Sequence, residues 1–245
     1  DQGTAGSFGG GISGTGSLTK TGSGTLTLTG VSSFSGGTTI SSGTLIGSSQ
    51  SLGRGPIVNN TSLVLNQTSA GTLVGAISGT GSLTKTGAGA VTLSGANSFT
   101  GGTTISSGSL IGNTQNFGTG NIVNNASLVL DQATDTSFAA AISGTGSLTK
   151  TGAGTLTLTG VSSFSGGTTI ASGRLIGNSQ SLGTGPIVNN TSLVFDQTSD
   201  ASFAGAISGI GSLTKSGSGT LTLTGVSSFT GTTTVTAGRL NLAGS

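Results

Sequence analysis

Four aspartates stand as two spaced pairs, and these are the carboxylates whose spacing could support chemistry. The first pair is Asp131 with Asp135, and Asp196 with Asp200 repeats it at the same spacing. Paired carboxylates can hydrolyse glycosides or bind calcium. An earlier copy of the same segment has Asn66 in place of the first aspartate, however, and the sequence contains no histidine to act as a base. The sequence therefore predicts solvated surface acids, no catalytic residue, and no metal or cofactor site.

Other chemically active side chains are scarce. Cysteine, histidine, methionine, tryptophan and tyrosine are all absent from the 245 residues. Without a thiol there is no cysteine nucleophile, cysteine metal site or disulfide framework, and an abundant serine needs a base to become a nucleophile. Residues 14–21 are similar to a phosphate-binding loop, but Thr19 replaces a required glycine and strand-type sequence follows where that motif needs a helix. We predict that the protein is not an enzyme.

Lysine is the cation with a regular spacing. One 65-residue period separates each of the four lysines from the next: Lys20, Lys85, Lys150 and Lys215. With the three coils per repeat that are predicted below, this period corresponds to an axial separation of about 14 Å. Because this exceeds the physiological Debye length of ~8 Å, the charges would act separately. The sequence predicts a row of periodic surface cations. A net charge of +2 gives no nucleic-acid footprint.

The spacing arises from a tandem repeat. Ile-Ser-Gly-Thr-Gly-Ser-Leu-Thr-Lys begins at Ile12, Ile77 and Ile142, and a variant with a second isoleucine begins at Ile207. The full repeats are 12–76, 77–141 and 142–206, with partial repeats at 1–11 and 207–245. Since no linker interrupts the period, we predict one continuous β-solenoid over residues 1–245.

Each repeat contains short strand-like segments between glycine, serine and asparagine turns. Thr25–Thr29 alternates strictly between polar and apolar residues, and no segment has a helical apolar stripe. The nine segments predicted in the first repeat are 17–20, 25–29, 31–34, 38–40, 44–46, 57–59, 62–65, 72–74 and 76–78. Three coils of about 22 residues per repeat are typical of a parallel β-helix. About eleven coils would rise roughly 50–55 Å.

Phenylalanine marks the predicted interior. Phe34, Phe99, Phe164 and Phe229 recur at the repeat period, and we predict that they form stacked columns in the core. The Asn59-Asn60 pair predicts a turn in which asparagine adopts a positive φ, with an internal stack of amides as the second interpretation.

The most specific pattern runs from Gly16 to Leu45: a Lys-Thr-Gly-x-Gly core, alternating Thr and Leu, and then Phe-x-Gly-x-Thr-Thr. It recurs at 81–110, 146–175 and 211–240, with Ser216 replacing the threonine after lysine in the last copy. This pattern resembles the autotransporter-associated β-strand repeat, also called the passenger-associated transport repeat. The resemblance implies a right-handed parallel β-helix in the passenger of a bacterial type V secreted protein, displayed outside the outer membrane.

We therefore expect a non-catalytic stalk of a surface-exposed or secreted adhesin. A subunit of an extracellular filament is one alternative, and an ice- or surface-binding solenoid built on Thr25–Thr29 and Thr155–Thr159 is another. Expected partners are further copies of the chain, end to end or side by side, or host ligands bound through other regions. We expect no nucleic-acid binding and no membrane insertion of this segment. A first residue of Asp1 rather than methionine suggests a mature or excised piece.

Overall fold

A computed structural model describes residues 1–244 as an all-β chain of 29 short strands, with no helix in that range. The strands use threonine, valine, isoleucine and leucine, which fit a pleated and half-buried surface. They form two compact units, residues 1–122 and residues 123–245, which are described separately.

The first unit contains thirteen strands and the start of a fourteenth. They are β1 (Gly6–Phe8), β2 (Leu18–Lys20), β3 (Thr25–Leu28), β4 (Thr38–Ile40), β5 (Thr44–Gly47), β6 (Ile57–Asn59), β7 (Ser62–Asn66), β8 (Gly71–Leu73), β9 (Ile77–Ser78), β10 (Ser82–Thr86), β11 (Ala90–Leu93), β12 (Thr103–Ile105) and β13 (Ser109–Gly112), followed by β14 (Ile122–Asn124) where the units meet in sequence. Their neighbours are parallel and form three stacks, ordered β1-β3-β5-β7-β10-β12, β2-β4-β6-β9 and β8-β11-β13.

The second unit has the same organisation. Its strands are β15 (Ser127–Asp131), β16 (Thr136–Phe138), β17 (Ile142–Ser143), β18 (Ser147–Thr151), β19 (Thr155–Leu158), β20 (Thr168–Ile170), β21 (Arg174–Gly177), β22 (Ile187–Asn189), β23 (Ser192–Asp196), β24 (Ala201–Phe203), β25 (Ile207–Ser208), β26 (Ser212–Ser216), β27 (Thr220–Leu223), β28 (Thr233–Val235) and β29 (Arg239–Leu242). Three parallel stacks run β15-β18-β20-β22-β25, β16-β19-β21-β23-β26-β28 and β24-β27-β29. The predicted parallel β-solenoid is confirmed, with about 12 turns in all.

Each turn of the solenoid contains fewer residues than the about 22 that the sequence suggested. The register pairs Leu18 with Thr38, Thr38 with Ile57, and Ile57 with Ile77, one turn at each step. Three turns from Leu18 therefore end at Ile77, before the chain reaches Leu83, which is the equivalent of Leu18 in the next repeat. The remaining residues advance the chain to the next side of the solenoid. The repeat thus spans about three and a third turns, so equivalent residues of successive repeats lie in different stacks.

Eight of the nine predicted strands are present in the first repeat. The segment 31–34 is not a strand, although Ser33 N–H donates to the Ile12 carbonyl in the preceding turn at 2.8 Å. The prediction of one continuous solenoid over 1–245 stays a prediction.

Inward residues of each strand form the core of each unit. Leu63 and Leu65 of β7 are buried, whereas Ser62 and Val64, which alternate with them, are half-buried on the outer face. This is the two-residue alternation expected of strands that cover a single interior.

Candidate functional site

The four lysines lie inside the solenoid, which corrects their prediction as surface cations. Lys20 is 2% exposed, and Lys85, Lys150 and Lys215 are fully buried. In β10 the lysine stands two residues after buried Leu83, so both side chains point inward.

The lysines also form no axial row within either unit. Lys20 belongs to the stack β2-β4-β6-β9, whereas Lys85 belongs to β1-β3-β5-β7-β10-β12. In the second unit, Lys150 and Lys215 likewise lie in different stacks. The cause is the fractional number of turns per repeat. The strand partners of Lys85 are Leu65 and Ile105.

Backbone carbonyls surround each buried ammonium group. Lys85 Nζ donates to the Thr86 and Gly87 carbonyls at 2.7 Å each, and to the Ser107 carbonyl of the next turn at 3.1 Å. An ammonium group has three N–H donors and no acceptor, so three carbonyls match its full capacity. We call this arrangement a lysine corner: the lysine, the two residues after it, and the two residues of the next turn that close over it.

The other three corners repeat this geometry. Their Nζ–oxygen distances are 2.8, 2.7 and 3.1 Å from Lys20 to Thr21, Gly22 and Ser42; 2.6, 2.8 and 3.3 Å from Lys150 to Thr151, Gly152 and Ser172; and 2.5, 2.8 and 3.3 Å from Lys215 to Ser216, Gly217 and Ala237. Lys150 and Lys215 also contact the Gln132 and Gln197 carbonyls of the preceding turn at 3.5 and 3.3 Å. Each corner thus ties together two or three consecutive turns.

Two glycines make the corner possible. Gly87 has a φ of +76° and Gly108 a φ of +71°, a region that side-chain-bearing residues rarely adopt. A Cβ atom on Gly108 would lie 2.5 Å from the Gly87 and Gly89 carbonyl oxygens and 2.8 Å from Lys85 Nζ. The next turn can therefore close over the ammonium group only with glycine at this position.

Burial lowers the pKa of Lys85 and of Lys150, because removal from water disfavours the charged ammonium. Asp131 and Asp135 oppose this effect on the pKa of Lys150 through their negative charge.

The phenylalanines do not form a column either. Phe34 and Phe99 are 1% and 0% exposed, but they lie on different sides of the first unit, between β3 and β4 and between β11 and β12. What covers Phe34 in the next turn is Gly53, whose added Cβ would be 2.7 Å from the ring. In the second unit Phe164 is fully buried and Phe229, in the last turn, is half-buried.

A second buried polar group is an asparagine that sequence reasoning placed in a turn of positive φ. Among residues 1–244 only glycines have positive φ, so that interpretation is wrong. Asn59 is fully buried at the end of β6. Its Nδ2 donates to the Ser82 carbonyl of the next turn at 2.8 Å, and its Oδ1 accepts from Thr61 N–H at 3.3 Å. Asn124 and Asn189 make the equivalent bonds to Ser147 and Ser212.

The aspartates are exposed and bond to the next turn. Asp131 Oδ1 accepts from Thr151 Oγ1 at 2.9 Å, and Asp135 Oδ1 accepts from Thr155 N–H at 2.7 Å. The Thr155 N–H lowers the pKa of Asp135. Asp196 and Asp200 make the equivalent contacts to Ser216 and Thr220. Within residues 1–244, no group of three or more acidic, histidine or cysteine side chains is arranged to hold a metal.

Sequestration of lysine changes the charge that the surface presents. The arginines Arg54, Arg174 and Arg239 are exposed, as are all five aspartates. The net charge of +2 therefore depends on four lysines that lie buried in the interior.

The outward columns mix polar and apolar residues. Thr27 is paired in register with Ser7 on one side and Ile46 on the other, and Val64 follows Ile46. Threonines therefore form no uninterrupted outward row at this position.

Sequence reasoning missed the lysine corners although a signal was present. Lysine follows an inward leucine by two residues in all four copies. Alternation alone would have placed it inside, but the general exposure of lysine was given more weight.

Comparison with known protein families identifies these segments. The family model of the passenger-associated-transport-repeat matches residues 18–46, 83–111, 148–176 and 213–242. No curated protein and no solved structure matches the chain. Helices long and apolar enough to cross a membrane do not occur in residues 1–244. Each matched segment includes one complete lysine corner, from the strand that carries the lysine to the strand after the closing glycine. The chain therefore contains four copies of the passenger-associated transport repeat, spaced one 65-residue period apart.

Proposed function

We propose that this chain is a non-catalytic spacer in a surface-displayed bacterial passenger, where it holds an adhesive region away from the cell. The observation that carries the proposal is that the repeats form the solenoid turns themselves. The family matches at 18–46 and 148–176 contribute strands that pair in parallel with the turns before and after them. Adding a repeat therefore adds turns without requiring a new kind of contact.

The contacts between turns suit a mechanical role. Parallel ladders join successive turns within each unit, and the lysine and asparagine side chains add hydrogen bonds in the same direction. The interior is filled by leucine, isoleucine and phenylalanine. Such nearest-neighbour stacking gives a stiffness that does not depend on any remote part of the chain.

Small-angle scattering on repeat-number variants tests the spacer role. Deleting or duplicating residues 142–206 keeps the sequence in phase, because Ile142 and Ile207 begin equivalent repeats. We expect the maximum dimension to change by about 16 Å per repeat, which is three and a third turns at ~4.8 Å. An unchanged maximum dimension would contradict a spacer.

Display on cells provides the second part of the test. With the chain fused ahead of an outer-membrane translocator, an N-terminal epitope should be detected by antibody on intact cells. The purified chain should appear as single particles in electron micrographs. Extended polymers would contradict the spacer and support the filament alternative.

A further inference from the structure

The distribution of amines is unusual: every lysine of the chain occupies a lysine corner. The sequence contains lysine at positions 20, 85, 150 and 215 only, and all four are buried. Of the remaining ionisable nitrogen groups, the amine of Asp1 is the one primary amine on an exposed residue.

We propose that the four ε-amino groups are fold-gated modification sites, which acyl donors reach only in the unfolded chain and whose acylation prevents the corners from closing. This inference concerns the chemistry of the interior, and it does not depend on the spacer function.

The closing step of the corner explains the gating. Lys85 Nζ has two acceptors on its own turn, Thr86 and Gly87, but the Ser107 carbonyl arrives with the next turn. Until that turn is in place, the amine is open on one side. Once Gly108 lies against it, the side chain has no exposed surface.

The closed corner also lacks space for a substituent. A single Cβ atom added to Gly43, Gly108 or Gly173 would lie 2.7, 2.8 or 2.9 Å from the lysine Nζ of its corner. An acetyl group contains three heavy atoms and would be attached to Nζ itself. It would meet the closing glycine and the surrounding carbonyls directly.

Acylation would remove most of the hydrogen bonds as well. In reaction with acetic anhydride, the neutral amine attacks an acyl carbon, a C–N bond forms, the C–O bond to acetate breaks, and the released proton passes to the buffer. The product is a neutral amide with one N–H donor in place of three. One N–H cannot serve three carbonyls, so at least two of the hydrogen bonds that the ammonium group makes in each corner would be lost, which is unfavourable for folding.

The experiment compares acylation of the folded and the urea-unfolded chain, with site occupancy read by mass spectrometry. In the folded chain we expect the Asp1 amine to react freely and each lysine to react at least about 100-fold more slowly, because reaction requires local opening. In urea all four lysines should react. After removal of urea, the acylated chain should fail to regain its β-sheet circular dichroism.

Two controls separate this mechanism from general damage. Arg174→Lys places a lysine at an exposed position, and this side chain should react in the folded chain. Citraconic anhydride acylates reversibly, so mild acid should restore refolding of the unfolded and modified chain. The proposal is overturned if the corner lysines react in the folded chain as fast as the lysine of Arg174→Lys. It is also overturned if the acylated chain refolds with the urea midpoint of the unmodified protein.

Discussion

The two sides of one corner treat charge in opposite ways. On the inner side, Lys150 is fully buried and donates to the Thr151 carbonyl. On the outer side, the hydroxyl of the same Thr151 donates to the exposed carboxylate of Asp131. A single residue thus separates a cation enclosed by carbonyls from an anion in water.

The repeats show which side the fold requires. The inner lysine is present in all four copies, at the cost of burying a charge, and the closing glycine accompanies it. The outer acids are replaced by Asn66 and Ala70 in an earlier copy. A buried charge whose donors are all satisfied is difficult to replace by changing one residue at a time, because the partner groups are then left buried. A solvated carboxylate contributes little to stability. We therefore infer that the fold requires the internal lysine and does not require the external acids.

The largest expected effect comes from removing the inner charge. Lys150→Met keeps the length of the side chain but removes the ammonium donor from the carbonyls of Thr151, Gly152 and Ser172. The Thr151 carbonyl keeps the Gln132 N–H at 2.9 Å, and the Gly152 carbonyl keeps the Ser172 hydroxyl at 3.3 Å. We expect the free energy of unfolding to fall by roughly 2–4 kcal/mol, measured by urea denaturation followed by circular dichroism. A loss below about 0.5 kcal/mol, the size of an ordinary surface effect, would show that the corner is not a structural element.

The closing glycine should have the next largest effect. Gly173 has a φ of +72°, and an added Cβ would collide with the Gly152 carbonyl oxygen. Gly173→Ala should cost about 2 kcal/mol in urea denaturation, from the left-handed backbone and the close contact together. Ser172→Ala is the matched control, since Ala237 occupies this position in the last repeat. Equal stability of the two variants would contradict the closing role of glycine.

The outer acids should have a small effect. Asp131→Asn combined with Asp135→Ala gives the second unit the residues found at positions 66 and 70. We expect the free energy of unfolding at pH 7 to change by no more than about 0.5 kcal/mol. Because the pKa of Asp135 is lowered, any contribution of its charge is present above the unfolded pKa and is lost as the pH falls through the folded value. Variant and parent should therefore converge in acid, and a loss as large as that of Lys150→Met would remove the distinction between the two sides.

The smallest expected effect is the pH dependence of the inner charge. Burial lowers the pKa of Lys150 below its ordinary value of 10.5. Between the lowered and the ordinary value the unfolded chain binds more protons, so the free energy of unfolding should rise with pH in that alkaline window. Tyrosine and cysteine are absent and cannot contribute there. Urea midpoints measured from neutral pH up to that ordinary value should rise less in Lys150→Met than in the parent; equal slopes would contradict the lowered pKa.

The strands could be predicted because alternation and glycine turns are local features. Residues 25–29, 38–40 and 57–59 were all placed correctly to within a residue. The position of Lys85 could not be found from residue type, because lysine is buried only where three carbonyls converge, and Ser107 comes from another turn. The predicted axial rows of lysines and phenylalanines were wrong for a different reason. They depend on the length of one turn, which follows from corner geometry that the repeat period does not contain.

The most direct test of the buried lysine corner is the nitrogen-15 spectrum of the lysine ammonium groups in the folded chain near pH 7. Exposed ammonium protons exchange with water too quickly to be observed well, whereas protons held by three buried carbonyls should exchange slowly. We expect four ammonium signals that persist in the folded chain and disappear in urea, with one lost specifically in Lys150→Met. Four lysines whose ammonium protons exchange as fast in the folded chain as in urea would contradict the account.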